Sequence, residues 1–169
     1  MHRHVLVWIV IFTSFALDAA RAERVQQPET LAREYVEAWN SRDVEEITLF
    51  FAPGGVYVDV TSVNNGWATP WEGHEEIRRA VADLYAAIPD FAFEVRSVHS
   101  GENFAIIEWT MRGTHSADWK TLPATGRTLS VPGVSVIEFA DEMIRRQRDY
   151  WDGYLFMSQL GALPGSGGD

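Results

Sequence analysis

Thr30-Leu31-Ala32-Arg33-Glu34-Tyr35-Val36-Glu37-Ala38-Trp39-Asn40-Ser41-Arg42-Asp43 is the stretch from which the fold can be read. Leu31, Tyr35, Ala38 and Trp39 recur at i, i+4, i+7 and i+8, the spacing of one stripe on an α-helix. Thr30, after Pro28-Glu29, can cap this helix, and Asn40-Ser41-Arg42 breaks it. Tyr35 and Trp39 therefore belong to its buried stripe. Asp43-Val44-Glu45-Glu46 has the form of a capping box and opens a second short helix through Phe51, stopped by Pro53-Gly54-Gly55. Residues 56–60 alternate as a strand, with Tyr57 and Asp59 on one face and the valines on the other. Asn64-Asn65-Gly66 reads as a turn and residues 67–71 as a loop. A third helix after Gly73 carries Ile77, Val81, Leu84 and Ile88 on its apolar stripe, and Pro89-Asp90 ends it. The pattern then changes to strands over 91–98, 104–113, 129–139 and 143–151, with a short amphipathic helix over 154–160. Helices followed by a run of strands predict an α+β fold. Its expected form is a curved antiparallel sheet wrapped on three N-terminal helices, a cone-shaped α+β barrel with an internal pocket.

A chain of 169 residues, 46% apolar and 22% charged, suits one domain with a packed core. The formal charge is −10; the first 22 residues contribute +1 (Arg3, Arg21 and Asp18), leaving −11 on the rest. A surface that acidic repels phosphate backbones and anionic lipid, so nucleic acid is excluded as a partner. Without cysteine there is no disulfide, thiol nucleophile or thiolate metal site. Beyond the leader, His74, His99 and His115 are dispersed with no metal-binding spacing, so no metal is expected.

His2, Arg3 and His4 precede an apolar run over residues 5–17, and Ala20-Arg21-Ala22 supplies the small residues of a cleavage site. The run is shorter than the ~20 residues that span a bilayer. A signal peptide over 1–22 is expected, with export to the periplasm or beyond, no membrane association after cleavage, a lead-in over 23–28, a domain over 29–164 and a loose Gly-rich tail over 165–169.

Tyr35-Val36-Glu37-Ala38-Trp39-Asn40-Ser41-Arg42-Asp43, Gly73-His74-Glu75-Glu76-Ile77-Arg78, Arg148-Asp149-Tyr150-Trp151-Asp152 and Gln159-Leu160-Gly161 together resemble the SnoaL-like polyketide cyclase family of the nuclear transport factor 2-like superfamily. The resemblance covers nearly the whole domain. It implies the ketosteroid-isomerase-like cone, a small hydrophobic ligand, no cofactor and a homodimer through the outer sheet face, where Val134, Val136, Arg146 and Arg148 fall. It carries two catalytic patterns. In the cyclases an acidic residue at the place of Asp149 is the general base of an aldol closure. In the isomerases a helix-1 tyrosine at the place of Tyr35 donates to the developing oxyanion, and a first-strand aspartate at the place of Asp59 shuttles the proton. The partner that each pattern requires falls at Ser135, where this chain has neither a histidine nor an aspartate. An epoxide-hydrolase arrangement finds no Arg–Asp pair over 106–111.

Each candidate has a plainer reading beside the chemical one. Alternation puts Arg145, Gln147, Asp149 and Trp151 on one strand face. A strand aspartate flanked by arginines is often a surface ion pair, but the motif directs this one into the hollow, where burial raises its pKa. Asp59 is either a proton shuttle or a strand-end cap for the turn that follows. Tyr35 is either an oxyanion donor or a core phenol bonded to backbone or to Asp59. Ser135 can hydrogen-bond a ligand carbonyl, and His115 belongs to a strand-end loop at the pocket rim, at the surface or positioning ligand. Trp39, Tyr57, Trp71, Trp109 and Trp151 are the candidate ligand-contacting aromatics; Trp67, Trp71 and Trp119, in polar loops, suit a lid or a subunit interface. Two functions stand: a cyclase or isomerase using a pocket aspartate as base on a hydrophobic carbonyl compound, and a non-catalytic ligand-binding or dimerisation domain. Whether Asp149 and Asp59 point into one cavity separates them.

Overall fold

The computed structural model describes residues 27–163; the leader, its cleavage site and the tail from residue 164 lie outside them. Helix α1 (Gln27–Ser41) begins three residues before Thr30, with Glu29 in its first turn complementing the helix dipole and pairing with Arg33 at 2.7 Å. Ala32, Tyr35, Ala38 and Trp39 are buried, as the spacing requires. The chain turns at Arg42, whose φ is 63°, and Asp43 caps α2 (Val44–Leu49) by accepting the N–H groups of Glu45 and Glu46, both at 3.0 Å.

Helix α2 ends two residues short of Phe51, which opens β1 (Phe51–Asp59) instead. Pro53-Gly54-Gly55 does not stop an element; it is absorbed as an irregularity between Phe51, opposite Ile144, and Val56, opposite Arg146. Where a turn was expected, Asp59 caps a short helix, α3 (Val60–Asn64). Strand β2 (Trp71–Glu72), read from sequence as loop, pairs with Val56 and Tyr57. Then come α4 (Gly73–Ala87), β3 (Ala92–Ser100), β4 (Phe104–Thr114), β5 (Thr128–Ala140), β6 (Met143–Trp151) and α5 (Gly153–Leu160).

The α+β cone is the architecture observed: a curved, unclosed six-stranded sheet in the order β2-β1-β6-β5-β4-β3 with helices packed on it. It differs from a purely antiparallel sheet in one pair. Strands β1 and β6 run parallel, which is open to them because the intervening chain provides the long crossover a parallel pair needs. Helix α1 packs on β3 and α4 on β1, so the concave face and the helices enclose the core. A bulge between Glu138 and Phe139 places Arg145 opposite no residue, so Ile144 turns inward and Arg145 outward, the reverse of simple alternation. From Gln147 onward alternation resumes.

Candidate active site

Strands β1 and β6 build the site. Asp59 and Asp149 are partners in their register, so two carboxylates leave neighbouring strands about 4.8 Å apart toward the same interior. Asp149 is 3% exposed. The Tyr57 hydroxyl donates to its Oδ2 at 2.8 Å, and Gln147 Nε2 donates to Oδ1 and Oδ2 at 3.0 and 3.1 Å. Ser135, its register partner on β5, accepts the Trp109 indole N–H at 2.8 Å and adds its own hydroxyl to the carboxylate's surroundings. Burial is the larger influence: it pushes Asp149 up to about 6 against the hydrogen bonds from Ser135, Gln147 and Tyr57, which favour the charged form.

Asp59 is held differently. Its Oδ1 accepts the Ser62 amide at 2.9 Å and the Trp151 indole N–H at 2.8 Å, and its Oδ2 accepts the Ser62 hydroxyl at 2.8 Å. It is both strand end and helix cap, but it is partly buried rather than exposed. Burial raises its pKa, opposed by Ser62, Trp151 and the charge of Lys120.

Both carboxylates line one cavity of about 60 Å³, walled by α4, by Phe91 and Phe93, and by five tryptophans. Trp39, Tyr57, Trp71, Trp109 and Trp151 are all among the residues that line it. Asp59, Trp71 and Trp119 also line a polar vestibule of about 340 Å³, while Trp119 and Trp151 border an apolar side pocket of about 310 Å³. Trp67 packs against Trp151 at 6.2 Å, and Lys120 Nζ donates to the Trp67 carbonyl, so the 67 and 119–120 loops meet beside the side pocket.

Three candidates do not touch the cavity. Tyr35 is 2% exposed and sits behind Trp39, one helical turn away; burial drives its phenol well above its ordinary pKa, while the neighbouring Trp39 and Gln147 side chains pull the other way. Ser135 lies behind Trp109. His115 is not at a rim. It is fully buried beyond the end of β4, its Nδ1 against Thr125 Oγ1 at 3.2 Å, because the chain on either side of it bonds to Arg127 and to the C-terminal carbonyl of α4 at Ala87. Burial lowers its pKa.

Sequence reasoning passed over Gln147 and Gly133. Gln147 shares the Asp149 face two residues away, which was visible in the alternation. Gly133 lies opposite Trp109 in the β4–β5 register, and a Cβ there would stand 2.2 Å from Trp109 Cη2. Its missing side chain lets the indole lie across β5 and reach Ser135, a requirement that no local pattern announces. Among the described residues, the Tyr35 hydroxyl, the Trp39 indole N–H and Gln147 Oε1 are buried without a hydrogen-bond partner. Of these three side chains only that of Trp39 is part of the cavity wall.

The open α+β cone is consistent with the fold of the nuclear transport factor 2-like proteins. Within that class the chain belongs to the SnoaL-like domain family, whose model matches residues 32–147. Similar solved structures include a protein from a Jannaschia species described as a SnoaL-like polyketide cyclase, 17% identical with a TM-score of 0.72, covering 83% of this chain and 95% of that one. AclR of Streptomyces galilaeus, described as a hydroxylase, is 24% identical with a TM-score of 0.68, covering 85% and 98%. A protein of ketosteroid isomerase-like fold from Catenulispora acidiphila, solved with trimethylamine, is 19% identical with a TM-score of 0.67, covering 82% and 97%. At these identities the likeness is one of fold. No curated protein matches the chain.

Proposed function

We propose that this protein is an exported, cofactor-free cyclase or isomerase that removes a proton from a carbon next to a carbonyl of a small hydrophobic compound, with Asp149 as the general base. The observation that carries the reading is the convergence of Asp149 and Asp59 on one aromatic cavity, with Asp149 buried and pushed up to about 6. A base with that pKa is ionised at neutral pH yet basic enough to take a proton from carbon. Family membership and the cyclase and isomerase-like folds among its structural neighbours support the same reading.

The step is a C–H proton passing to Asp149 while the C–H electron pair moves onto the carbonyl oxygen as an enolate. Tyr57 and Gln147 hold the carboxylate in place. In a cyclase the enolate carbon attacks a second carbonyl of the same molecule and the new alkoxide takes the proton back. In an isomerase the proton returns to a different carbon. Deuterium wash-in tests the shared step: with a panel of cyclic ketones in D₂O, wild type accelerates exchange next to the carbonyl and Asp149→Asn does not. Ligand binding without any exchange would assign the cavity to binding alone.

The leader over 1–22 implies that the mature protein begins at Glu23. N-terminal sequencing of periplasmic protein should find that residue, and an intact Met1 terminus in the cytosol would refute export. Val134, Val136, Arg146 and Arg148, half-buried on the sheet face turned from the cavity, support a homodimer. Light scattering should give twice the mass of one chain; a concentration-independent monomer would remove the dimer.

A further inference from the structure

Nine of the sixteen residues lining the cavity are aromatic, and its only charged groups are Asp59 and Asp149. The ring donors are largely committed. Tyr57 gives its hydroxyl proton to Asp149, Trp109 its N–H to Ser135 and Trp151 its N–H to Asp59. What remains for a ligand is aromatic surface, negative charge and the indole N–H groups of Trp71 and Trp119. An anion meets repulsion in such a cavity, and a neutral ligand gains nothing from the charge of the carboxylates. A cation is attracted by both the ring faces and the carboxylates.

The mouth repeats the bias. Asp59, Glu76 and Asp83 border the vestibule against Arg79 and Lys120, three acids to two bases; Arg79 also lies 3.8 Å from Glu75, and Lys120, which donates to the Trp67 carbonyl, offsets part of the Asp59 charge. Asp59, Trp71 and Trp119 belong to both the vestibule and the inner cavity, so two indoles and a carboxylate frame the neck. The net charge of −10 draws cations toward it.

We infer that the substrate bears a small alkylated ammonium group, seated at the neck between Trp71 and Trp119 and paired with Asp59, with the reacting C–H presented to Asp149. This rests on the assignment of Asp149 as base. Asp59 then has a task of its own. With the two carboxylates on adjacent strands in register, the ammonium lies only a few bonds from the reacting carbon, where its charge also stabilises the enolate.

Choline and its uncharged isostere 3,3-dimethylbutan-1-ol have nearly the same shape and differ in charge. Titrated into the full protein by calorimetry and tryptophan fluorescence, choline should bind roughly tenfold or more tightly than the isostere. Asp59→Asn keeps a residue that caps α3, so the fold is preserved; it should cost choline about tenfold and leave the isostere's affinity unchanged. A thermal melt of the variant verifies folding, and Glu76→Gln at the vestibule is a second variant, expected to weaken choline by a smaller factor. Equal affinities, tighter binding of the isostere, or no saturable choline binding in the millimolar range would overturn the inference. Unchanged choline affinity in Asp59→Asn would overturn the seat at Asp59. None of these results bears on deuterium exchange by Asp149, so the two readings fail separately.

Discussion

Asp149 and Asp59 face each other across one pair of parallel strands, and the difference between them lies in what surrounds each carboxylate. Asp149 receives only side-chain donors from the interior of the sheet, Tyr57, Gln147 and Ser135, and is 3% exposed. Asp59 receives a backbone N–H at the start of α3, a serine hydroxyl and an indole N–H, and opens on the vestibule. Asp149 is therefore a carboxylate kept dry; Asp59 is a carboxylate doing structural duty within reach of ligand. The same residue type on the same sheet acquires two chemistries from burial and from the kind of donor it meets.

The comparison breaks most visibly in turnover. Asp149→Asn should lower turnover of a cognate substrate by about 10²–10⁴-fold with the fold intact, the scale of losing a general base. Asp59→Asn should lower it less and act mainly on substrate affinity. A larger loss at Asp59 would move the base to that residue and favour the isomerase pattern.

Stability against pH comes next. The folded-state pKa of Asp149, about 6, lies above its ordinary 3.8, so the folded protein holds the proton more tightly than the unfolded chain does. The penalty for burying the charge is then absent below pH 3.8, grows through the interval and is complete above pH 6. Its full size is about 3 kcal/mol. Denaturant titrations of Asp149→Asn and wild type should therefore diverge by up to that amount in favour of the variant between pH 4 and pH 7, whatever constant offset the lost hydrogen bonds contribute. A pH-independent difference would mean that the carboxylate is solvated.

Gly133→Ala attacks the support behind Asp149. Its Cβ would collide with the Trp109 ring, break the Trp109–Ser135 hydrogen bond and cost about 1–3 kcal/mol in a thermal or chemical melt. Tyr57→Phe should have the smallest effect. It removes a hydrogen bond that favours the ionised form, so the acid limb of the pH–rate profile should move upward from about 6 by less than about one unit. A downward shift would show that Tyr57 does not act on the charged carboxylate.

Much of this architecture was legible where the period was long and the cap local. Helix α1 has four apolar positions in phase, and α2 has Asp43, so both are visible before any tertiary contact is considered. The inward placement of Tyr57, Asp59, Asp149 and Trp151 followed from alternation and motif. What escaped depended on distant partners. Phe51 leaves helix for strand because Ile144 stands beside it, Arg145 turns outward because a bulge shifts β6 against β5, and His115 is buried by chain on both sides. The parallel β1–β6 pair could not be read locally either, since alternation is the same in either direction. Helix α3 is five residues long, too short for a period, and depends on the Asp59 cap.

The most direct test of the account is a ¹³C NMR titration of the side-chain carboxyl of Asp149, assigned by its disappearance in Asp149→Asn. A dry carboxylate beneath the aromatic cavity should titrate with a midpoint of about 6. A midpoint near 3.8 would contradict the account, because a carboxyl with its ordinary pKa has not been desolvated and has no special claim to be the base.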